Sequence, residues 1–553
     1  TPHPGGDNAA YLSIARGMLE GGMYADYWDP LRPPHTQYPP VFPIMLALAQ
    51  LFAIDGWVGQ KLVIIACSSF AVAFSYLWVR RWHSASLALP VGLIVAFGPG
   101  VIDLSHWVLS DVPFWMFLMI ALWAWTAVDG TALKRARLMR LVEETETGVA
   151  SSPWSRGVVS PDPVRLANVR DVAAALSGVR DALSRPVWIA VVATMLAYFT
   201  RSAGLPLVLA AGVWLLWQRR WRPLALLAAL VGAPALLWAL RTRALGGIGY
   251  EEAFLAIDPY QPELGTIGMD GMIDRVLSNI GDYIGVHLPM LLFGDVGPFR
   301  VLLGGLVLAL GIAGWAVRLR RPGIAELFLP MYLGLLVIWP AVWSGERFLL
   351  PVLPIIVAAA GAALLELARR ATPRRVSLVG AVATALVLLF AAPGLRAGVR
   401  GGFICTTRYA SGEDYPCLAP VFGSFFEMAE WSRDALPPAA VVITRKPTLW
   451  YWVSGRPSRI YPKSENPTAF WAMIRETDAR YLLFDRIGGL TMFYVGPIVA
   501  RNPEAFCVVR VAPDQTGVLF GIREVPTASP AGPPPASPSF DRCPPSYAPG
   551  APR

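Results

Sequence analysis

Hydrophobic positions along this chain fall in long blocks, and basic clusters close every second block. Apolar runs cover residues 57–79, 86–102, 112–128, 186–199, 204–217, 223–240, 299–317, 324–343, 348–367 and 376–392. A helix needs about 20 apolar residues to cross the hydrocarbon, fewer where its ends are buried in protein. Each run is therefore a candidate span. "VRRWH" follows the first run, "KRARLMR" the third, "QRRWR" the fifth, "RLRR" the seventh and "ARRATPRR" the ninth. Basic residues mark the cytoplasmic side, and the alternation has no gap. Residues 1–56, 103–111, 200–203, 241–298, 344–347 and everything after 392 then face outward. An outward-facing start calls for one further span ahead of Thr1.

Between the runs the pattern changes. "YPPVFPIMLALAQLF" (38–52) is short and Pro-rich and reads as a membrane-edge helix. Residues 129–185 mix charge with Ser, Pro and Gly and read as a partly disordered cytoplasmic loop. In the outward loop 241–298, "GMIDRVLSNIGDYIGVHLPMLLF" reads as an amphipathic helix lying on the membrane. After residue 392 helical runs alternate with β-branched strands such as "AVVIT", which predicts a small α/β domain over 393–525. The Pro/Ala/Ser-rich tail 526–553 reads as extended. The expected fold class is an α-helical polytopic membrane domain (1–392) with a C-terminal extracytoplasmic α/β domain.

Composition agrees. The chain has 553 residues, 55% hydrophobic and 15% charged, with mean hydropathy +0.48, against roughly a quarter charged in soluble domains. The net charge of +9 sits at the ends of apolar runs, so it reports topology and no nucleic-acid partner is expected. Cys67 lies inside a run and reads as a packing residue. Cys405, Cys417, Cys507 and Cys543 all lie in the outward C-terminal part. An even number on an oxidising side predicts two disulfides, with Cys405–Cys417 preferred and Cys507–Cys543 pinning the tail. No His accompanies them at zinc-ligand spacing.

The candidate chemistry lies at the outward turns. Asp7 follows two glycines in the first loop. Asp103 and Asp111 bracket the second, "DLSHWVLSD". Arg201 sits in "YFTRSAGLP", and Glu346 and Arg347 in "WSGERFLLPVLP". Taken singly, any of these is an ordinary interface charge. Charges at membrane depth are expensive, however, and usually face a cavity. As a set, carboxylates with apposed arginines suit a phosphate-bearing substrate and a hydroxyl that must lose a proton.

"GGDNAAYLSIARGML", "QYPPVFPIMLALAQLF", "LSHWVLSDVPFWMFL", "FTRSAGLPLVL" and "ERFLLPVLPIIVAAAG" follow one another in an order that resembles the polytopic glycosyltransferases of the GT-C class. The likeness is to the bacterial branch related to protein O-mannosyltransferases and aminoarabinose transferases, and covers roughly residues 5–370. It implies a GT-C-like fold, a polyprenyl-phosphate-linked sugar as donor, and a glycan, lipid or protein acceptor met on the non-cytoplasmic face of the plasma (inner) membrane. It implies Asp7 as catalytic base or acceptor-orienting acid and Asp111 as the second-loop acid. Arg201 and Arg347 would meet the donor phosphate. Phe348 stands where relatives have Tyr, Tyr38 where many have Lys, and His106 where mannosyltransferases have Arg. Tyr38, His106 and Glu346 are pocket-lining candidates. No cofactor is expected, with a divalent ion held by Asp7 and Asp111 left open. Two other readings stand beside the enzyme: a transporter of lipid-linked sugar, for which no internal repeat is found, and a non-catalytic, glycan-binding subunit of a cell-surface assembly.

Overall fold

The computed structural model describes residues 3–130, 185–247, 254–320, 322–464, 466–526 and 539–550. Most of the expected cytoplasmic loop 129–185 and part of the tail 526–553 lie outside the described residues. The membrane part is a bundle of helices: α1 (Gly6–Gly21), α2 (Val41–Leu51), α3 (Gly56–Trp82), α4 (Ala85–Ala96), α5 (Pro99–Leu104), α6 (Asp111–Val128), α7 (Arg185–Thr200), α8 (Leu205–Trp217), α9 (Trp221–Ala244), α10 (Met269–Phe293), α11 (Arg300–Arg318), α12 (Ile324–Ile338), α13 (Glu346–Ala371) and α14 (Val376–Ala410). Seven of these, α3, α6, α9, α10, α11, α13 and α14, are long and apolar enough to cross a membrane. The protein is a multi-pass membrane protein.

Their burial differs in a way that explains their sequences. Helices α6 and α13 are 78% and 83% buried and form the centre, whereas α14 is 6% buried and α9 17%. The central helices keep Trp115, Trp125, Phe114 and Leu118 fully inside. The outer ones turn Leu236, Leu237, Leu386 and Leu389 outward, as a lipid-facing helix must. Close approaches fall where a side chain is missing. A Cβ on Gly314 would collide with the Ala359 carbonyl, and one on Gly304 with the Ile284 carbonyl.

Three elements differ from the sequence reading. The run 86–102 breaks at Phe97–Gly98 into α4 and α5, with Pro99 opening the second piece. The run 376–392 continues through Pro393 as one helix to Ala410. The expected surface helix becomes α10, which is two-faced only in its first half. There Met269, Ile273 and Leu277 are exposed, while Arg275 is buried and donates to the carbonyls of Phe254, Ala256 and Ile257. A π-turn at Tyr283–His287 then leads into the buried Leu288–Phe293 segment. Its contacts fall on Gly98, Gly100, Gly304 and, through Asn279, the carbonyls of Val337 and Trp339. All lie at the non-basic end of the bundle.

Beyond α14, helices α15 (Pro420–Ala435), α16 (Pro447–Ser454), α17 (Pro467–Thr477) and α18 (Gly496–Arg501) flank a five-stranded sheet. Strands β1 (Val442–Ile443), β2 (Ser458–Arg459) and β3 (Tyr481–Asp485) are parallel. Strands β4 (Phe506–Val511) and β5 (Gly517–Ile522) are added antiparallel, in the order β2-β1-β3-β5-β4. Disulfides join Cys405 to Cys417 at the end of α14, and Cys507 of β4 to Cys543. The second is flanked by a parallel bridge from Val508 to Arg542, which ties the tail to the sheet edge.

Within this domain Asp485 is 3% exposed. Its Oδ1 accepts from Ile487 N (2.9 Å) and Thr491 Oγ1 (3.3 Å), and Arg445 lies close enough to act on the carboxyl through its backbone N–H and its charge. Burial pushes this carboxyl up from the usual carboxylate range to about 6. The folded state therefore holds its proton longer than the unfolded chain, and stability falls as pH rises from about 4 to about 6. We expect Asp485→Asn, which keeps the Oδ1 acceptor, to raise the melting temperature at pH 7–8 by the equivalent of about 3 kcal/mol. The gain should vanish below pH 4. Thermal unfolding at both pH values checks this, and an equal gain at both would refute it.

Candidate active site

Each candidate side chain is carried to the non-basic end of the bundle by an element that starts or stops there. Helix α1 places Asp7 in its first turn, where a carboxylate suits the positive end of the helix dipole. Helix α6 begins at Asp111, and Arg201 follows the last residue of α7. Helix α13 begins at Glu346 and Arg347, after a turn in which Gly345 is fully extended.

The Asp7 carboxylate is about half exposed (47%) and is held from two sides. Tyr38 OH donates to Oδ1 at 3.0 Å, and Arg347 Nη1 lies 3.5 Å from Oδ2. Tyr38 is held in turn: its backbone N donates to His35 Nε2 (2.8 Å), and Tyr24 OH donates to its carbonyl (2.8 Å). With Nε2 accepting, His35 Nδ1 carries the proton toward Asp26 Oδ1, 2.5 Å away. His35 is 3% exposed and its carbonyl accepts from Arg241. The Pro-rich loop is thus fastened by a buried polar network as well as by its prolines.

A second group meets the first. Tyr11, packed on Tyr38 with ring centroids 4.4 Å apart, donates to Ser110 Oγ at 3.0 Å. Arg201 Nη1 reaches the same oxygen at 3.1 Å and lies 3.0 Å from Asp111 Oδ1. The Asp111 side chain is only 4% exposed. Its oxygens accept no hydrogen bond from the described residues, so the contact with Arg201 is an ion pair without aligned hydrogen-bond geometry. Arg201 and Arg347 both sit over the ring of Phe348, with Cζ 4.8 Å and 4.7 Å from its centroid. Cations are attracted to such a face, so the Phe348 ring gives the two arginines a common platform.

Glu346 Oε2 lies 3.4 Å from His287 Nδ1. His287 comes from the π-turn of α10, a geometry frequent at functional sites. Tyr283, from the same turn, is close enough to Arg201, Arg347 and Glu346 to feel their charges. His106 stands at the rim, among Asp103, Lys61 and His3. The five residues Asp7, Tyr38, Arg347, Arg201 and Asp111 form one connected constellation, Glu346 adjoins it, and His106 flanks it. The four disulfide cysteines belong to the C-terminal part. Asp7 and Asp111 each face their own arginine. Among the described residues no three His, Cys, Asp or Glu are grouped as a metal would need.

Sequence reasoning missed several contributors. His3, with its ring 3.9 Å from Trp107, is lowered to about 4 by burial and by the cations Arg347, Lys61, His106 and Lys446 around it. It is neutral at pH 7, and its Nδ1 accepts from Gly5 N. Lys446, from the turn before α16, stands within electrostatic reach of Asp7. Burial, then Arg445, pushes its ammonium below the usual lysine range. A lone His three residues from the chain start and a Lys more than 400 residues away carry no spacing signal. The signal that the sequence does hold is compositional: "RKPTLWYW", which contains Lys446, is rich in aromatic and basic residues. Two crevices, one lined by Trp78, Trp82, Trp125 and Trp214 and the other by His83, Arg318 and Glu326, lie at the opposite, basic end.

No protein-family model matches the sequence, and no curated protein sequence does. Solved structures do. An Archaeoglobus fulgidus oligosaccharyltransferase, in complex with zinc and sulfate, aligns with TM-score 0.53 at 13% identity, covering 93% of this chain and 69% of that one. The same organism's oligosaccharyltransferase AglB, in complex with an inhibitory peptide and a dolichol-phosphate, aligns with TM-score 0.51 at 13% identity, over 95% and 71%. ArnT from Cupriavidus metallidurans in the apo state aligns with TM-score 0.50 at 14% identity over 93% of each chain. Over more than nine-tenths of its length, the chain shares with these proteins a polytopic helical fold of the GT-C kind.

Proposed function

We propose that the protein is a membrane glycosyltransferase that moves a sugar from a polyprenyl-phosphate donor to an acceptor hydroxyl on the extracytoplasmic face of the plasma membrane. The observation that carries this reading is the convergence of the Asp7–Tyr38–Arg347 and Arg201–Asp111 groups on Phe348. Supporting it, one solved protein of like fold is in complex with a dolichol-phosphate. The acceptor oxygen attacks the anomeric carbon and its proton passes to Asp7. The anomeric C–O bond breaks with its electron pair leaving on the polyprenyl phosphate, whose growing negative charge meets Arg347 and Arg201. Tyr38 aims the Asp7 carboxylate. Asp111 holds Arg201 in place. No divalent ion takes part on this reading, because each carboxylate already faces a guanidinium.

The reading assigns residues 1–392 to the membrane domain, 393–525 to the outward α/β domain and 526–553 to the tail. The donor lipid enters from the bilayer and the acceptor from the side of the α/β domain. Mass spectrometry of lipids that co-purify with the protein should find polyprenyl phosphates or their glycosides. The purified protein should also turn over at least one undecaprenyl-phosphate sugar. A protein that carries no such lipid and turns over no member of a pentosyl and hexosyl donor panel has another function. Lipid bound without turnover would favour the subunit or transporter reading.

A further inference from the structure

Helix α1 has a weak start. Gly5 and Gly6 open it, no side chain caps it, and Asp7 is its next residue. Two glycines leave the backbone freer than any other pair, so nothing within the helix fixes the direction of the Asp7 side chain. Tyr38 and Arg347 hold the carboxylate itself, and Gly5 N and Asn8 Nδ2 donate to Nδ1 and the carbonyl of His3. A further contact, to the helix backbone beside Asp7, comes from the other end of the chain. Thr448 Oγ1, in the first turn of α16, donates to the Gly6 carbonyl at 2.8 Å. That carbonyl belongs to the peptide unit shared with Asp7. A Cβ at Gly6 would press on Thr448 Oγ1 at 3.3 Å. Along the rest of α1 the C-terminal domain is continuous with the bundle. Ala9 is fully buried in an apolar cluster with Leu449 and Trp450, and Arg16 lies 4.6 Å over the Trp452 ring. Farther out, Ser458 N donates to the Trp28 carbonyl (2.7 Å) and Arg459 pairs with Asp29 (3.5 Å).

We propose that the C-terminal domain is part of the catalytic centre, and that Thr448 is the positioning residue that sets Asp7. The proposal rests on the glycosyltransferase reading for its effect on rate, but not for its effect on structure. Among the hydrogen bonds that the described residues of the domain make to α1, this one reaches the residue next to the carboxylate, while Lys446 acts on Asp7 only through its charge. A base misplaced by about 1 Å can cost on the order of 100-fold in rate. Donor binding, which draws on Arg201 and Arg347, does not pass through Thr448.

The test uses full-length protein in detergent. Hydrogen exchange of peptides covering Gly5–Leu12 should be faster in Thr448→Val than in wild type and unchanged in Thr448→Ser. With the undecaprenyl-phosphate sugar that wild type turns over fastest, Thr448→Val should lose about 10- to 100-fold in kcat, with the donor KM within about twofold, and Thr448→Ser should restore kcat. Arg459→Gln, which loosens the same domain elsewhere, should stay within about twofold of wild-type kcat. Unchanged exchange in Thr448→Val, a fall confined to KM, or an equal kcat loss in Arg459→Gln overturns the proposal. If wild type turns over no donor, the functional reading falls by itself, and the exchange result still decides whether Thr448 holds the Asp7 turn.

Discussion

Asp7→Asn is expected to lose about 1,000-fold or more in donor turnover while folding, membrane insertion and melting temperature stay unchanged. The two halves of this expectation have separate physical grounds. Asparagine keeps Oδ1 as the acceptor for Tyr38 OH, so the local geometry survives. What is lost is the charge, and with it a 3.5 Å ion pair to Arg347 that is half open to solvent. Such pairs contribute about 0–1 kcal/mol. As a base, by contrast, the carboxylate contributes about 100- to 10,000-fold, and an amide cannot take a proton from the acceptor. Tyr38→Phe should cost less, about tenfold, because it removes an aiming hydrogen bond and leaves the base. Release of sugar from undecaprenyl-phosphate donors, beside melting curves of the same preparations, measures both halves. Asp7→Asn within tenfold of wild type would rule out Asp7 as the base.

The alternation of basic run-ends placed Asp7, Asp111, Arg201 and Arg347 on one side of the membrane, because charge asymmetry is a physical property of the loops themselves. That the four share one end of the bundle was therefore legible. Pairing was not. The sequence could not say which partner each carboxylate meets: Asp7 faces Arg347 and Asp111 faces Arg201. Nothing in the spacing of residues 7, 111, 201 and 347 encodes who meets whom. Phe348 read as a departure from a pattern, yet its ring is where both cations rest. Helix α10 read as a surface helix because its first half has one apolar face. Its π-turn, which delivers Tyr283 and His287, follows from packing against α11, where Gly304 lets the Ile284 carbonyl approach. Lys446 and Thr448 come to the site only because the sheet seats α16 on α1. The helix–strand alternation after residue 392 predicted a domain, but periodicity within a segment carries no information about which face docks.

Arg201→Met should destabilise the protein far more than any exposed substitution, by about 3–5 kcal/mol. It leaves the 4%-exposed Asp111 carboxylate buried without its counter-charge, a cost that persists because the oxygens accept no hydrogen bond from the described residues. Asp111→Asn removes the charge that needs compensation and leaves Arg201 against Ser110 and Phe348, so it should cost less. The double variant Arg201→Met/Asp111→Asn should then be more stable than Arg201→Met alone, since no bare charge remains inside. Turnover should not follow stability. Both variants lacking Arg201 should stay at least about 100-fold down, because a cation aimed at the departing phosphate acts on the transition state and not on the fold. Melting temperature and donor turnover across the four proteins separate the two roles of one guanidinium. If the double variant regains activity along with stability, Arg201 serves only to neutralise Asp111. If it regains neither, the pair is not the source of the instability.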